Sequence, residues 1–444
     1  MRSACDVLTS KRFAAALALG LLIRIATLPL PGHDDVMTWK IWSYAAAHDV
    51  TSMYGVGGSP PTRGIVTWGN ASTTVDYPPV FLYEYGLVGR IFGALFPSYP
   101  DGLALLVAVK LPVLLANIGL TALFFVTVRR LSHDVQAARW AALAYWINPA
   151  TIVGGEMLGY VDPLYFLPAI AGIVLAQAGR PLWGGLLVGI AVATKPQGIL
   201  VGPAFALALW QGGGLWALPL AGVTFVAAVV VAIWPYYTKG ALPNMWLAFG
   251  SFGERRDTMS AYAANIGWIV NWWLRSKLGM PDAGLRAFLR IVPRPLSITR
   301  FIELGYPNPR PIGRLAVVAA TFWAMWTTRR ARDLALVAAL GAFTVHAFFV
   351  LAPGMHEHHQ LFEVPLLALA AAFRPRLRTL FYVVSAIVTL NINLLYGAGL
   401  RMGWAVPRDL TGIDLSVLLA FVNIAALVWF AGRLTSEAVQ AVSH

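Results

Sequence analysis

Charge is scarce in this chain, and cysteine is nearly absent. Asp, Glu, Lys and Arg together make up 12% of the 444 residues, against about a quarter in a soluble globular domain. The one cysteine, Cys5, allows no disulfide within the chain, which excludes a small disulfide-stapled fold. The first 31 residues open with Arg2, Lys11 and Arg12 and continue as an apolar run, like a signal peptide. The small-residue cleavage site that should follow is missing, so the run is expected to remain as a first span. No ten-residue alternation of apolar and polar positions occurs, which argues against a membrane barrel. Nucleic-acid motifs are absent too. The net charge of +13 is therefore assigned to anionic lipid, each basic residue near the surface contributing about 1 kcal/mol.

What remains is apolar. Hydrophobic residues make up 58% of the chain, and the mean hydropathy is +0.67. Leu-, Ala- and Val-rich runs near the length of a membrane-crossing helix recur throughout. In lipid each backbone N–H and C=O must be satisfied internally, so these runs are expected as helices. The sequence predicts an all-α integral membrane protein forming one domain over 1–444, with about twelve spans: 12–31, 103–128, 135–153, 161–178, 182–194, 196–210, 214–236, 311–328, 332–352, 360–373, 377–397 and 413–432. Gly, Lys195 and Pro196 interrupt 182–210, which reads as two short or broken helices.

Placing both termini in the cytoplasm puts Arg129, Arg130, Arg329, Arg330, Arg374 and Arg376 in short inner segments, where basic residues belong. The long outer segment 237–310 is also basic, but long loops escape that rule. In this topology 32–102 is a long first outer loop with juxtamembrane helices, and 79–97 does not span. Most acids then lie on the outer face, among them Asp34, Asp35, Asp76, Glu156, Asp162 and Glu357.

Six outer features carry candidate chemistry. Adjacent carboxylates Asp34 and Asp35 follow the first span, ahead of Trp39 and Trp42. Such a pair tends to raise one pKa, as a general base requires, although acids at a helix exit also cap the next helix. Asp76-Tyr77-Pro78-Pro79 locks the backbone and starts a helix, and would equally serve as a stop at the membrane surface. Glu156 and Asp162 lie in the turn between two spans, where an ionisable group is functional by default, and Asp162 alternatively caps a helix. Lys195, before Pro196-Gln197, needs water or an anion, and a phosphate fits; a snorkelling lysine is the alternative. His356-Glu357-His358-His359, with Glu363 nearby, offers contacts to sugar or phosphate; its spacing is not that of the helical zinc sites, so metal is not favoured and no cofactor is expected. Arg255 and Arg256 can hold a phosphate in bidentate fashion or simply be solvated.

Taken in order, these motifs resemble the GT-C superfamily, the polytopic membrane glycosyltransferases that use polyprenyl-phosphate sugars. Asp35-x3-Trp39-x2-Trp42 is similar to the family's catalytic first loop. Asp76-Tyr77-Pro78-Pro79 resembles the Tyr-Pro-Pro element of the dolichyl-phosphate-glucose-dependent branch and its bacterial relatives, and Asn148-Pro149 to Asp162, Lys195-Pro196-Gln197 and Met355-His356-Glu357 have counterparts there. Two departures bear on sugar or acceptor choice: Tyr160 stands near where glutamine is expected, and His358-His359 stands where Arg-Tyr is expected. The chain lacks the Trp-Trp-Asp signature of the oligosaccharyltransferase branch.

The resemblance implies a GT-C fold and an inverting transfer of a hexose or pentose from polyprenyl phosphate to an acceptor hydroxyl, on the non-cytoplasmic face of a bacterial inner membrane. The acceptor would be a glycolipid, a cell-envelope glycan or a protein. Asp35 is the expected base, with Asp34 in reserve. Lys195, Arg255, Arg256 and His356 are candidates for the donor phosphate. Trp39, Trp42, Asp76, Tyr77, Glu156, Asp162, Glu357 and His359 are candidates for sugar or acceptor. The principal alternative is a secondary transporter, which would show an internal repeat and midplane charges; the sequence shows no clear repeat.

Overall fold

The computed structural model describes residues 9–250, 257–279, 295–396 and 414–443. The described chain is mostly helical, with a single two-stranded hairpin. Five helices are long and apolar enough to cross a membrane: Leu103–Ser132, Ala217–Thr238, Leu334–Leu351, Pro375–Leu394 and Leu415–Val442. The helices stand within a few residues of the apolar runs, but several are short. Pro163–Gln177, Pro181–Thr194 and Glu363–Phe373 have 15, 14 and 11 residues. At 1.5 Å per residue these reach roughly 16–23 Å, less than the ~30 Å hydrocarbon core. Ser10–Thr27 has the length, but carries Lys11, Arg12 and Arg24.

Packing divides the chain into two compact units, one of 10–123 with 155–255 and the other of 124–154 with 256–444. The first unit begins with α1 (Ser10–Thr27) and α2 (Asp35–Asp49). The hairpin β1 (Ile65–Trp68) and β2 (Ala71–Thr74) follows, antiparallel, with Ile65 opposite Thr74. Then come α3 (Pro79–Leu95) and the start of α4 (Leu103–Ser132). Pro79 at the first turn of α3 has a fixed φ suited to helix and no N–H to leave unsatisfied. Helix α3 lies tightly on α2: a Cβ on Gly89 would sit 1.9 Å from the Ser43 carbonyl oxygen, so only glycine permits the approach. Trp39, Trp42, Phe81, Tyr85 and Tyr236 fill the core of this unit.

After α5 (Val135–Trp146) and the four-residue α6 (Pro149–Ile152), which belong to the second unit, the first unit resumes. It adds α7 (Pro163–Gln177), α8 (Pro181–Thr194), α9 (Gly202–Gly213), α10 (Ala217–Thr238) and α11 (Leu242–Gly250). Small residues bring α8 against its neighbours: a Cβ on Gly185 would stand 2.1 Å from the Ala221 carbonyl oxygen of α10. Close backbone approach is the usual basis of helix association in lipid. The run 182–210 is interrupted as its sequence suggests. Helix α8 ends at Lys195, whose extended φ of −150° breaks it before the 3-10 turn Pro196–Val201.

The second unit contains α12 (Ile266–Gly279), α13 (Ile298–Glu303), α14 (Pro309–Thr328), α15 (Leu334–Leu351), α16 (Glu363–Phe373), α17 (Arg378–Tyr396) and α18 (Leu415–Ser443). Helix α15 is the centre: 89% of its apolar window is buried, against 17% for Ala217–Thr238. One helix is enclosed by protein; the other presents its side chains outward, as a lipid-facing helix does.

Candidate functional site

In the first unit, motifs far apart in sequence converge. The loop after α1 carries His33, Asp34 and Asp35; α2 carries Trp39 and Trp42; Tyr77 precedes α3; Tyr160 and Asp162 precede α7; Lys195 ends α8. The contacts between them are specific. The His33 backbone N–H donates to the Leu158 carbonyl at 2.9 Å, and the Trp39 indole N–H donates to the Gly159 carbonyl at 3.1 Å. The rings of His33 and Tyr160 stack with centroids 4.2 Å apart. Gly159 has φ +83°, and a Cβ there would meet Val36 and the Lys110 side chain, so this turn requires glycine.

The Lys195 ammonium lies 2.9 Å from Asp162 Oδ1, both side chains almost fully buried. It also faces the rings of Tyr77 and Tyr165, 5.6 and 5.8 Å from their centroids. The Tyr77 ring packs edge-on against Trp39 and Trp42, at 5.2 and 5.5 Å. Tyr54 holds Tyr77 in place by donating its hydroxyl to the Tyr77 carbonyl. Burial pushes the Tyr54 hydroxyl well above its ordinary pKa, so it stays protonated and remains a donor.

In this cluster Asp162 Oδ2 and the Trp42 indole nitrogen are buried without a hydrogen-bond partner among the described residues. One is an acceptor and the other a donor. A buried polar atom left unmatched costs about 1–3 kcal/mol.

Asp35 begins α2, with its carboxyl 58% exposed. Its backbone N–H donates to His33 Nδ1 at 3.1 Å. That nitrogen therefore accepts, and a neutral His33 carries its proton on Nε2. The 3.5 Å separation of Asp35 Oδ2 from His33 Nδ1 is then not an ion pair. Asp34 occupies the N-cap position, but its side chain makes no capping hydrogen bond. Asp76 is half-buried, close enough to Tyr54 to act on it electrostatically.

Glu156 stands apart from this cluster. Its carboxylate is fully buried, bonded to Arg24 of α1 through Oε2 and to the Asn117 amide through Oε1 at 2.9 Å. Close by in the fold, Lys110 donates to the carbonyls of Leu30 and Met157 at 2.6 and 2.9 Å, tying together the two chain segments that lead into the cluster. Arg24 and Lys110 are absent from the sequence expectations, although a charge inside an apolar run is itself a signal.

The second unit holds His356, Glu357 and His359. Glu357 is buried, with Oε1 3.1 Å from His358 Nδ1 and Oε2 3.8 Å from His356 Nδ1. The turn is tied to residues 261–264: the Ala261 N–H donates to the Met355 carbonyl, and the Asn391 side chain joins the Glu357 carbonyl to the Ala264 N–H. Beyond it, Gln360, Glu363, His346 and Asn423 form a closed buried network. Glu363 accepts from Gln360 at 2.9 Å and meets His346 Nδ1 at 2.9 Å. Arg255 and Arg256 lie outside the described residues. Among those described, no three His, Cys, Asp or Glu side chains are placed to hold a metal ion.

Comparison with known proteins finds no matching family model and no significant match among curated proteins.

Proposed function

We propose that this protein is an inverting GT-C-type glycosyltransferase, moving a hexose or pentose from a polyprenyl-phosphate carrier to an acceptor hydroxyl on the non-cytoplasmic face of a bacterial inner membrane. One observation carries the reading. Residues from four separated motifs, at 33–42, 77, 160–162 and 195, meet in one cluster with a buried ammonium, a half-satisfied carboxylate and aromatic faces.

In this reading Asp35 takes the proton of the acceptor hydroxyl. The oxygen attacks C1 of the sugar, the bond from C1 to the phosphate oxygen breaks, and lipid phosphate leaves with the bonding pair. A single displacement inverts the anomeric carbon. A positioned base supplies about 10²–10⁴-fold. Lys195 offers fixed positive charge to the leaving phosphate in a buried setting, where such charge counts most. Asp162 Oδ2 accepts from a sugar hydroxyl, and the Trp42 indole N–H donates to a sugar oxygen. Trp39 and Tyr77 form the apolar wall beside them. His356, Glu357 and His359 remain candidates for donor or acceptor, and Arg255 and Arg256 for phosphate.

The test is incubation of the purified protein with a panel of polyprenyl-phosphate sugars, scored for sugar loss and anomeric configuration. Asp35→Asn should reduce transfer by about 10²–10⁴-fold while donor binding persists. Near wild-type transfer by Asp35→Asn, with loss in Asp34→Asn, would move the base to Asp34. No sugar loss with any donor would overturn the reading.

A further inference from the structure

A groove in the first unit, with a cavity volume of about 730 Å³, is lined by α3, α4 and α7. That volume falls in the range of small-molecule sites, about 300–1,000 Å³. The wall on α3 runs from Glu84 to Leu95, roughly 16 Å of helix. Glu84 is the one polar side chain among its lining residues. Its Oε2 is buried and has no hydrogen-bond partner among the described residues. A carboxyl left unmatched in so apolar a setting is costly.

A second feature points the same way. Pro112 lies within α4 and Pro168 within α7, and both line the groove. Proline has no N–H, so neither returns the helical hydrogen bond to the carbonyl four residues back. Those carbonyls belong to Ala108 and Leu164, which also line the groove. Among the described residues, no lysine, arginine or histidine lines the groove, so a phosphate head would find no positive charge there. Burial raises the Glu84 carboxyl to about 8, which disfavours its charged form and suits an uncharged partner. A hydroxyl on a hydrocarbon chain matches both the apolar length and this one polar group.

We infer that this groove seats the chain of an uncharged, hydroxyl-headed lipid, with the hydroxyl toward Glu84. Two of the helices that line the groove start at the cluster: α3 directly after Tyr77 and Pro78, and α7 directly after Asp162. The groove is accordingly the seat of a lipid acceptor, an assignment that rests on the transfer reading; the binding of the lipid alcohol does not.

The test uses the full chain in detergent with a diazirine-tagged long-chain alkanol, competed by untagged alkanol, alkyl phosphate or alkylammonium. Labelling should map to α3 and α4, and fall about tenfold when Ala108→Trp fills the groove. Leu87→Trp, at an exposed position on the opposite wall, serves if that variant does not fold. Glu84→Leu should remove the preference for alkanol over a plain alkane tag, and Glu84→Gln, which keeps a hydrogen-bonding group, should retain it. Labelling unchanged in both Trp variants, or competition by alkyl phosphate equal to that by alkanol in the wild type, would overturn the inference. So would alkylammonium competing tenfold better. The probe needs no sugar donor: labelling without any transfer of sugar would defeat the transfer reading alone.

Discussion

The two units each bury a polar cluster, and the clusters are finished differently. In the second unit, His346, Gln360, Glu363, Asn391 and Asn423 satisfy one another and the backbone, and none has a buried side-chain atom without a partner. The His346 Nε2–H donates to the Asn423 carbonyl, and its Nδ1 meets Glu363 Oε1. In the first unit, Asp162, Trp42 and Glu84 each keep a buried atom unmatched. Closed networks rigidify a core, whereas leftover hydrogen-bonding capacity is open to a water or a ligand.

Glu156→Ala should have the largest effect on stability. It leaves Arg24 buried without its carboxylate, a loss of about 3–5 kcal/mol in unfolding of the micellar protein. Replacing both residues with Met should recover most of that loss. If Glu156→Ala is neutral, the first unit has no closed polar core of its own and the comparison sharpens further.

Lys195→Met comes next, on activity. Transfer should fall about 10²–10³-fold. The double variant Lys195→Met with Asp162→Asn should restore folding by removing the unpaired charge, yet still fail to transfer. Transfer by the double variant would show that the pair is structural, as the His346–Glu363 pair is.

Glu363→Gln disturbs the closed network. It should cost about 1–3 kcal/mol of stability with the transfer rate per folded molecule unchanged. A rate loss beyond the folded fraction would break the distinction between the units. The smallest effect on activity is expected from Trp42→Phe, which removes the indole N–H together with the five-membered ring that carries it. We expect a rise in KM for the sugar donor of about threefold to tenfold, with a stability loss of about 1–3 kcal/mol from the gap left at this buried position, measured by steady-state kinetics and thermal unfolding.

Much of this was legible in the sequence, because it depends on neighbours along the chain. Apolar runs place the helices, Pro79 starts α3, and Lys195-Pro196 breaks the helix before α9. Length misled where proline and glycine intervene: 135–153 reads as one span but forms Val135–Trp146, a short turn at Pro149–Ile152 and a π-turn at Val153–Met157. The hairpin at 65–74 sits in a loop whose helices alone were foreseen. Long-range pairing was out of reach. Nothing local links Arg24 to Glu156, 132 residues away, so a carboxylate that looked available for sugar is bound to an arginine. Glu84 sits in a run that reads as an interfacial helix, and its setting depends on prolines in two other helices.

The hairpin has a practical consequence. Its turn at Gly69-Asn70 projects clear of the surrounding atoms, with nothing near a Cβ on Gly69 and Asn70 exposed. The chain has only one native thiol, Cys5, and replacing it with serine leaves a blank background. A cysteine placed at Asn70 then becomes an address on the loop beside the cluster. Its reaction with a membrane-impermeant maleimide in intact cells reports directly which compartment that loop inhabits.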